Sequence, residues 1–133
     1  MATSTRRQAR ERALSLLYEA DIKQLTPVEV LESQPVVPDA FTVAVVRGVQ
    51  EKQNEIDSQL SLSAIDWKLE RMPVVDRAIL RIAAYELLAR PDVPVAAVIS
   101  EAVELAKEYS TEDSGRFVNG VLAAIAAQAR PDG

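Results

Sequence analysis

The sequence predicts an all-α fold on three observations. Glycine is scarce, with four in 133 residues. Runs of β-branched residues are short. Apolar side chains return every three to four positions, the spacing that lines one face of a 3.6-residue helix. At this length, with 48% hydrophobic residues, the chain matches the size of one ordinary domain and can bury a core without staples.

The elements follow in order. Residues 1–5 form a polar lead-in that supplies Ser/Thr caps. A first helix is expected over residues 6–25, because Ala9, Ala13, Leu16, Leu17 and Ala20 share one helical face. Thr26-Pro27 reads as the N-cap and first residue of a short helix to about residue 33. A loop over residues 34–38 follows, with two prolines around Val36 and Val37. One long helix is expected over residues 39–60, striped by Phe41, Val45, Val49, Ile56 and Leu60, with Lys52 its polar break. After Ser61 to Ser63, a short helical segment over residues 65–71 carries the only tryptophan, Trp67. Met72-Pro73 opens the next helix, residues 74–89. It is apolar over most of its circumference (Val75, Ile79, Leu80, Ile82, Ala83, Leu87) and is therefore expected at the centre. A turn over residues 90–94 leads to a helix over 95–109 with Val98, Ile99, Ala102, Leu105 and Ala106 inward. Ser110 and Asp113 have capping-box spacing for a last helix over residues 112–128. The result is five substantial helices and two short ones in one domain over residues 6–128. Its halves fall at about 6–71 and 72–128, with a tail over 129–133.

Composition excludes much chemistry. Without cysteine there are no disulfides, thiolate metal sites or thiol nucleophiles. Without histidine the usual general base and metal ligand are missing. An enzyme is not expected, nor a cofactor. No apolar run approaches the roughly 18 residues of a membrane span. The N-terminus has no apolar stretch with a cleavage site, so the cytoplasm is the expected compartment. Net charge is −5, unevenly spread. Four arginines against one glutamate give the first 12 residues +3, leaving −8 for the other 121. A basic arm on an acidic body suggests an anionic ligand at one end.

Several residues can carry function. On a helical wheel Arg7, Arg10, Leu14 and Tyr18 form a second stripe beside the core face of the first helix. Guanidinium forks bind phosphates and stack on bases, while the leucine and tyrosine suit a protein partner. Arginine here also opposes the helix dipole, which favours function over stability. The plain alternative is a solvated helix start. Arg77 and Arg81, four apart, either extend the cationic surface or pair with acids such as Glu70 or Asp76. Glu86 falls on the apolar face of the central helix, where a buried acid ordinarily pairs with an arginine. Glu101, Glu104 and Glu108 lie on one helical stripe: a solvated acidic face, or a weak candidate for a metal. Between Thr111 and Gly120, two glycines interrupt a helical pattern, each costing about 1 kcal/mol against alanine. They allow close approach of a ligand or backbone. Arg116, Phe117 and Asn119 offer there a cation, a stacking ring and an amide that can read a base edge. A core phenylalanine and helix–helix packing at Gly120 are the plain alternatives.

Five segments together resemble the NusB family of transcription antitermination factors. They are Arg6-Arg7-Gln8-Ala9-Arg10-Glu11 followed by Leu17-Tyr18; the run from Val75-Asp76-Arg77 to Tyr85-Glu86-Leu87; Asp92-Val93-Pro94; Glu101-Ala102-Val103-Glu104-Leu105-Ala106-Lys107; and Glu112-Asp113-Ser114-Gly115-Arg116-Phe117-Val118-Asn119-Gly120. The resemblance covers nearly the whole chain. It implies about seven helices in two roughly perpendicular three-helix bundles that share one core. It implies a protein partner, ribosomal protein NusE, a ligand, boxA-type single-stranded RNA of ribosomal leaders, and action on elongating RNA polymerase. Arg6, Arg7 and Arg10 match the family's arginine-rich RNA-binding motif, with Gln8 where another arginine is common. Tyr18 and Asp76 match partner-interface positions. Arg81, Arg116, Phe117 and Asn119 match positions near the RNA path, with Asp113 beside them, and Gly115-Arg116 replaces the commoner His-Lys.

The resulting expectation is a bacterial RNA-binding adaptor. Arg6, Arg7, Arg10, Arg81, Arg116, Phe117 and Asn119 meet RNA, while Leu14, Tyr18, Asp76 and Asp113 meet the partner. The alternative is a helical homodimeric interaction module joined through Arg7, Leu14 and Tyr18, without specific RNA binding.

Overall fold

The computed structural model describes residues 5–64 and 66–132. Most of the expected lead-in, Ile65 and the last residue lie outside them. Among the described residues seven α-helices form: α1 (Arg6–Lys23), α2 (Pro27–Glu32), α3 (Ala40–Glu51), α4 (Gln53–Ser63), α5 (Val74–Ala89), α6 (Val95–Tyr109) and α7 (Glu112–Ala129). A 3₁₀ turn at Leu69–Arg71 precedes α5. Among the described residues there is no strand. No described helix is long and apolar enough to cross a membrane.

Local chemistry sets the boundaries. Thr5 caps α1: its hydroxyl accepts from the Gln8 amide, and the Gln8 side chain accepts from the Thr5 amide. Gln8, where the resemblance leads one to expect another arginine, therefore closes a capping box. Thr26 and Glu29 form the same box for α2, with Pro27 as its first residue. The first helix stops at Lys23 rather than residue 25, because Gln24 turns left-handed (φ 59°, ψ 40°). The Leu25 amide then closes back on the Ala20 carbonyl. At α7 the cap is Thr111, whose hydroxyl accepts from the Ser114 amide at 2.9 Å. Ser110, the residue expected in that role, instead meets the Ser114 hydroxyl.

The expected long helix over 39–60 is two helices. Lys52, the polar break in its apolar stripe, leaves helical geometry (φ −105°, ψ 18°). α3 stays against α1 and α2, while α4 turns to α5 and α7. Ile56 and Leu60 thereby reach full burial, which one straight rod would not give them. The expected segment over 65–71 is helical only in its last three described residues.

α1, α2 and α3 pack on one another, as do α5, α6 and α7. α5 also touches α1, α3 and α4 and is buried nearly all round, with Ile79, Leu80, Ile82, Ala83, Ala84 and Leu87 inside. It is the shared centre that its pattern predicts. Gly48 lets α3 cross α5 closely: a Cβ there would stand 2.0 Å from Cε1 of Tyr85. Gly115 likewise brings α7 against Lys107 of α6, whereas a Cβ on Gly120 would meet nothing within 4 Å. Helix packing therefore does not explain Gly120. The expected tail takes part in the fold. Arg130 donates to the carbonyls of Glu86, Leu87 and Arg90, covering the open C-terminal end of α5 with a cation.

Candidate nucleic-acid and partner interface

Two regions gather most of the residues singled out by sequence, one at each end of α5. The first is cationic. Arg6 lies over the Phe41 ring at 4.2 Å, and Arg90 and Arg10 stand 5.1 and 5.3 Å from the same ring. These distances are within cation–π range. Arg6 and Arg7 are exposed. With Thr5, Asp92, Val93, Pro94, Ala97 and Glu101 they line an open cavity of about 380 Å³.

Arg10 departs from expectation. It is 4% exposed, and its Nε and Nη2 donate to Glu86 at 2.8 and 2.6 Å. The open stripe expected from the helical wheel is not open here, because Glu86 of α5 draws the guanidinium inward. The same pair gives Glu86 its expected arginine. Arg7 forks onto Glu101 of α6 at 3.1 and 3.2 Å. Those bonds, and the negative charge behind them, hold the Arg7 pKa above its ordinary value. Glu101 is thus a partner of Arg7 rather than one of three free acids. Among the described residues no group of three acids gathers as a metal site.

The second region is aromatic and acidic. Trp67 and Phe117 stand with ring centroids 6.1 Å apart and planes tilted by 58°. With Met72, Pro73, Asp76, Asp113 and Ser114 they line a cavity of about 320 Å³. Asp76, expected on a partner-facing surface, is 4% exposed. It sits at the start of α5, where a carboxylate suits the helix dipole. Its Oδ2 accepts from the Ser114 hydroxyl at 2.8 Å, and its Oδ1 has no hydrogen-bond partner. Oδ1 is itself shielded from solvent, so it is not open to a ligand in the cavity. Trp67 was missed as a site residue. Its signal was a lone tryptophan in a polar segment, here 49% exposed.

α7 distributes its candidates over two faces. Arg116 pairs with Asp113, three residues back on the same face, and Asn119 continues that face in the open. Phe117 turns instead toward Trp67. Arg81 joins neither region. Its Nε and Nη2 donate to Asp57 of α4 at 2.9 and 3.0 Å. Arg77 donates to Asp21 and to the Leu69 carbonyl. Both arginines thus pair with acids, though not with Glu70 or Asp76, the two acids that sequence suggested. They line a separate groove of about 670 Å³ with Leu17, Gln24 and Leu69.

Between the two regions lies a mostly apolar groove of about 400 Å³, formed by Glu11, Leu14, Ser15, Tyr18, Val75 and Tyr109. Leu14 is 6% exposed and forms wall, while Tyr18 at 44% and Tyr109 at 48% present their rings. The Tyr109 hydroxyl donates to Glu11 at 3.0 Å, which raises the phenol's pKa. Tyr109 and Val75 complete a surface of which sequence singled out only Leu14 and Tyr18.

Comparison with known proteins agrees with this architecture. Residues 7–127 match the model of the NusB family. A transcription antitermination protein NusB from Kineococcus radiotolerans is 49% identical over 127 residues, covering 92% of this chain and 93% of its own. The solved structure of T. maritima NusB superposes with a TM-score of 0.87 at 36% identity, covering 96% of this chain and 94% of that one. A crystal structure of the antitermination factors NusB and NusE in complex with double-stranded RNA superposes with a TM-score of 0.75 at 29% identity, covering 92% and 96%. With a family match over nearly its full length and the same helical fold, the chain belongs to the NusB family.

Proposed function

We propose that the protein is a non-enzymatic adaptor that binds single-stranded boxA-type RNA together with ribosomal protein NusE and acts on elongating RNA polymerase. The observation that carries this reading is the half-open cavity lined by the Trp67 and Phe117 rings. Two rings suit the stacking of an unpaired base. A paired base in an A-form helix cannot enter such a cavity, so the single strand is the preferred form. Arg6 and Arg7 supply phosphate contacts, whose strength falls with salt. Arg116 and Asn119 extend the RNA surface along α7. Arg10 anchors α1 to α5, and neither it nor Arg81 meets RNA without first leaving its carboxylate. The solved complex of the antitermination factors NusB and NusE with double-stranded RNA supports NusE and RNA as partners, without bearing on the single strand. In this reading NusE docks on the groove formed by Leu14, Tyr18, Val75 and Tyr109, while Asp76 is buried and Asp113 lines the aromatic cavity instead.

The test is a fluorescence-anisotropy titration of boxA-like single-stranded RNA with and without NusE, against scrambled and double-stranded controls. Tighter binding to the single strand when NusE is present is the expected result. No RNA binding in either condition overturns the reading. Light scattering at several concentrations then distinguishes a homodimer joined through Arg7, Leu14 and Tyr18.

A further inference from the structure

All four arginines at the start of α1 are engaged within the chain. Arg12 donates to Gln34, Arg10 is buried on Glu86, Arg6 covers Phe41 and Arg7 forks onto Glu101. Arg7 differs from Arg10 in being accessible: its side chain is 47% exposed, against 5% for Arg10. It therefore combines an open guanidinium with a bidentate carboxylate partner. Glu101 arrives from α6, 94 positions along the chain. It heads the stripe continued by Glu104 and Glu108, both near enough to favour the charged form of Arg7. One turn further along α1, Tyr109 ties the end of α6 to Glu11.

We propose that Glu101 is a built-in competitor of RNA. Its carboxylate occupies the Nε–Nη2 edge of Arg7, the side-on edge for a phosphodiester, so RNA that binds there displaces an internal anion before Arg7 contributes. Carboxylate and phosphate both accept two parallel N–H bonds from a guanidinium fork, so the exchange replaces like with like. The pair is exposed, and the competition is accordingly weak, reversible and screened by salt. It sets affinity rather than sequence choice, because phosphate is common to every RNA. The inference rests on the reading of the α1 start as an RNA-binding surface.

The test titrates boxA-like and scrambled single-stranded RNA with the unaltered protein and with Glu101→Gln, Glu104→Gln, Arg7→Ala and the Arg7→Ala/Glu101→Gln pair. Glu101→Gln is expected to tighten both RNAs by the same factor, roughly two- to fivefold at low salt. The gain shrinks as salt rises. Glu104→Gln removes the same charge without touching the fork and is expected to give a clearly smaller gain. Without Arg7, Glu101→Gln gains no more than Glu104→Gln does. Equal gains from the two glutamates, or an undiminished gain without Arg7, overturn the proposal, because net charge alone then accounts for them. Unchanged affinity in Glu101→Gln while Arg7→Ala weakens binding removes the competitor and leaves the RNA surface standing. Absence of RNA binding by every protein in the series overturns the RNA reading and the competitor with it.

Discussion

The two ends of α5 solve opposite problems. At its C-terminal end, guanidinium groups crowd around Phe41, and Arg10, Arg7 and Arg90 are matched by Glu86, Glu101 and Asp92. At its N-terminal end, two aromatic rings and a buried aspartate line a cavity. The cationic end is satisfied within the chain and open at its rim. The aromatic end is a half-enclosed cavity with an exposed tryptophan at its edge. This contrast suggests a division of labour. Exposed arginines give affinity that depends on salt and ignores sequence. A half-enclosed aromatic cavity suits selectivity that depends on which base enters.

The largest expected effect strikes the cationic end. Arg10→Ala leaves Glu86 buried and unpaired, and chemical denaturation is expected to show a loss of about 3–5 kcal/mol. Arg10→Met combined with Glu86→Leu should recover most of it, since two apolar residues of similar bulk replace the pair. If Arg10→Ala melts like the unaltered protein, Arg10 is not the anchor between α1 and α5. Gly48→Ala comes next. It forces a methyl into the Tyr85 ring and is expected to cost about 1–3 kcal/mol through overpacking. It loosens the crossing of α3 over α5 on which both ends depend. Thr111→Ala removes the α7 cap at the aromatic end, for about 1 kcal/mol. It should also disturb Phe117, because Ser114 links that cap to Asp76, and Trp67 fluorescence would report the change. Tyr18→Asp is expected to have the smallest effect on stability, within about 0.5 kcal/mol for an exposed side chain. It should nonetheless abolish the NusE complex. A normal complex from that variant would move the partner elsewhere.

Much of the frame was legible in the sequence. The all-round apolar pattern of residues 74–89 placed α5 at the centre, and Thr26-Pro27 marked the start of α2. Glu86 on an apolar face predicted its arginine partner. What failed depended on residues far apart in the chain. A helical wheel gives Arg10 a direction but not Glu86, 76 positions away, which decides whether it is buried. Asp76 is buried against Ser114, 38 positions away in the chain. The break at Lys52 was visible as a polar interruption, but periodicity alone carries a stripe across one such residue. Arg130 looked like tail because its partners are backbone carbonyls, which leave no mark on the residue pattern. Resemblance supplied candidate interface residues, yet it did not distinguish exposed arginines from paired ones.

The most direct test of the division of labour is the salt dependence of RNA affinity in Arg6→Ala and Phe117→Ala, each measured on boxA-like and scrambled single strands. Arg6→Ala is expected to weaken both RNAs alike and to flatten the plot of log affinity against log salt by about 0.7, one phosphate on a single strand. Phe117→Ala is expected to leave that slope unchanged and to lose about 1–3 kcal/mol on the boxA-like strand alone, the worth of one stacked base. If both variants lower the slope equally, or both weaken the two RNAs by the same factor, the two ends of α5 do not have separate roles.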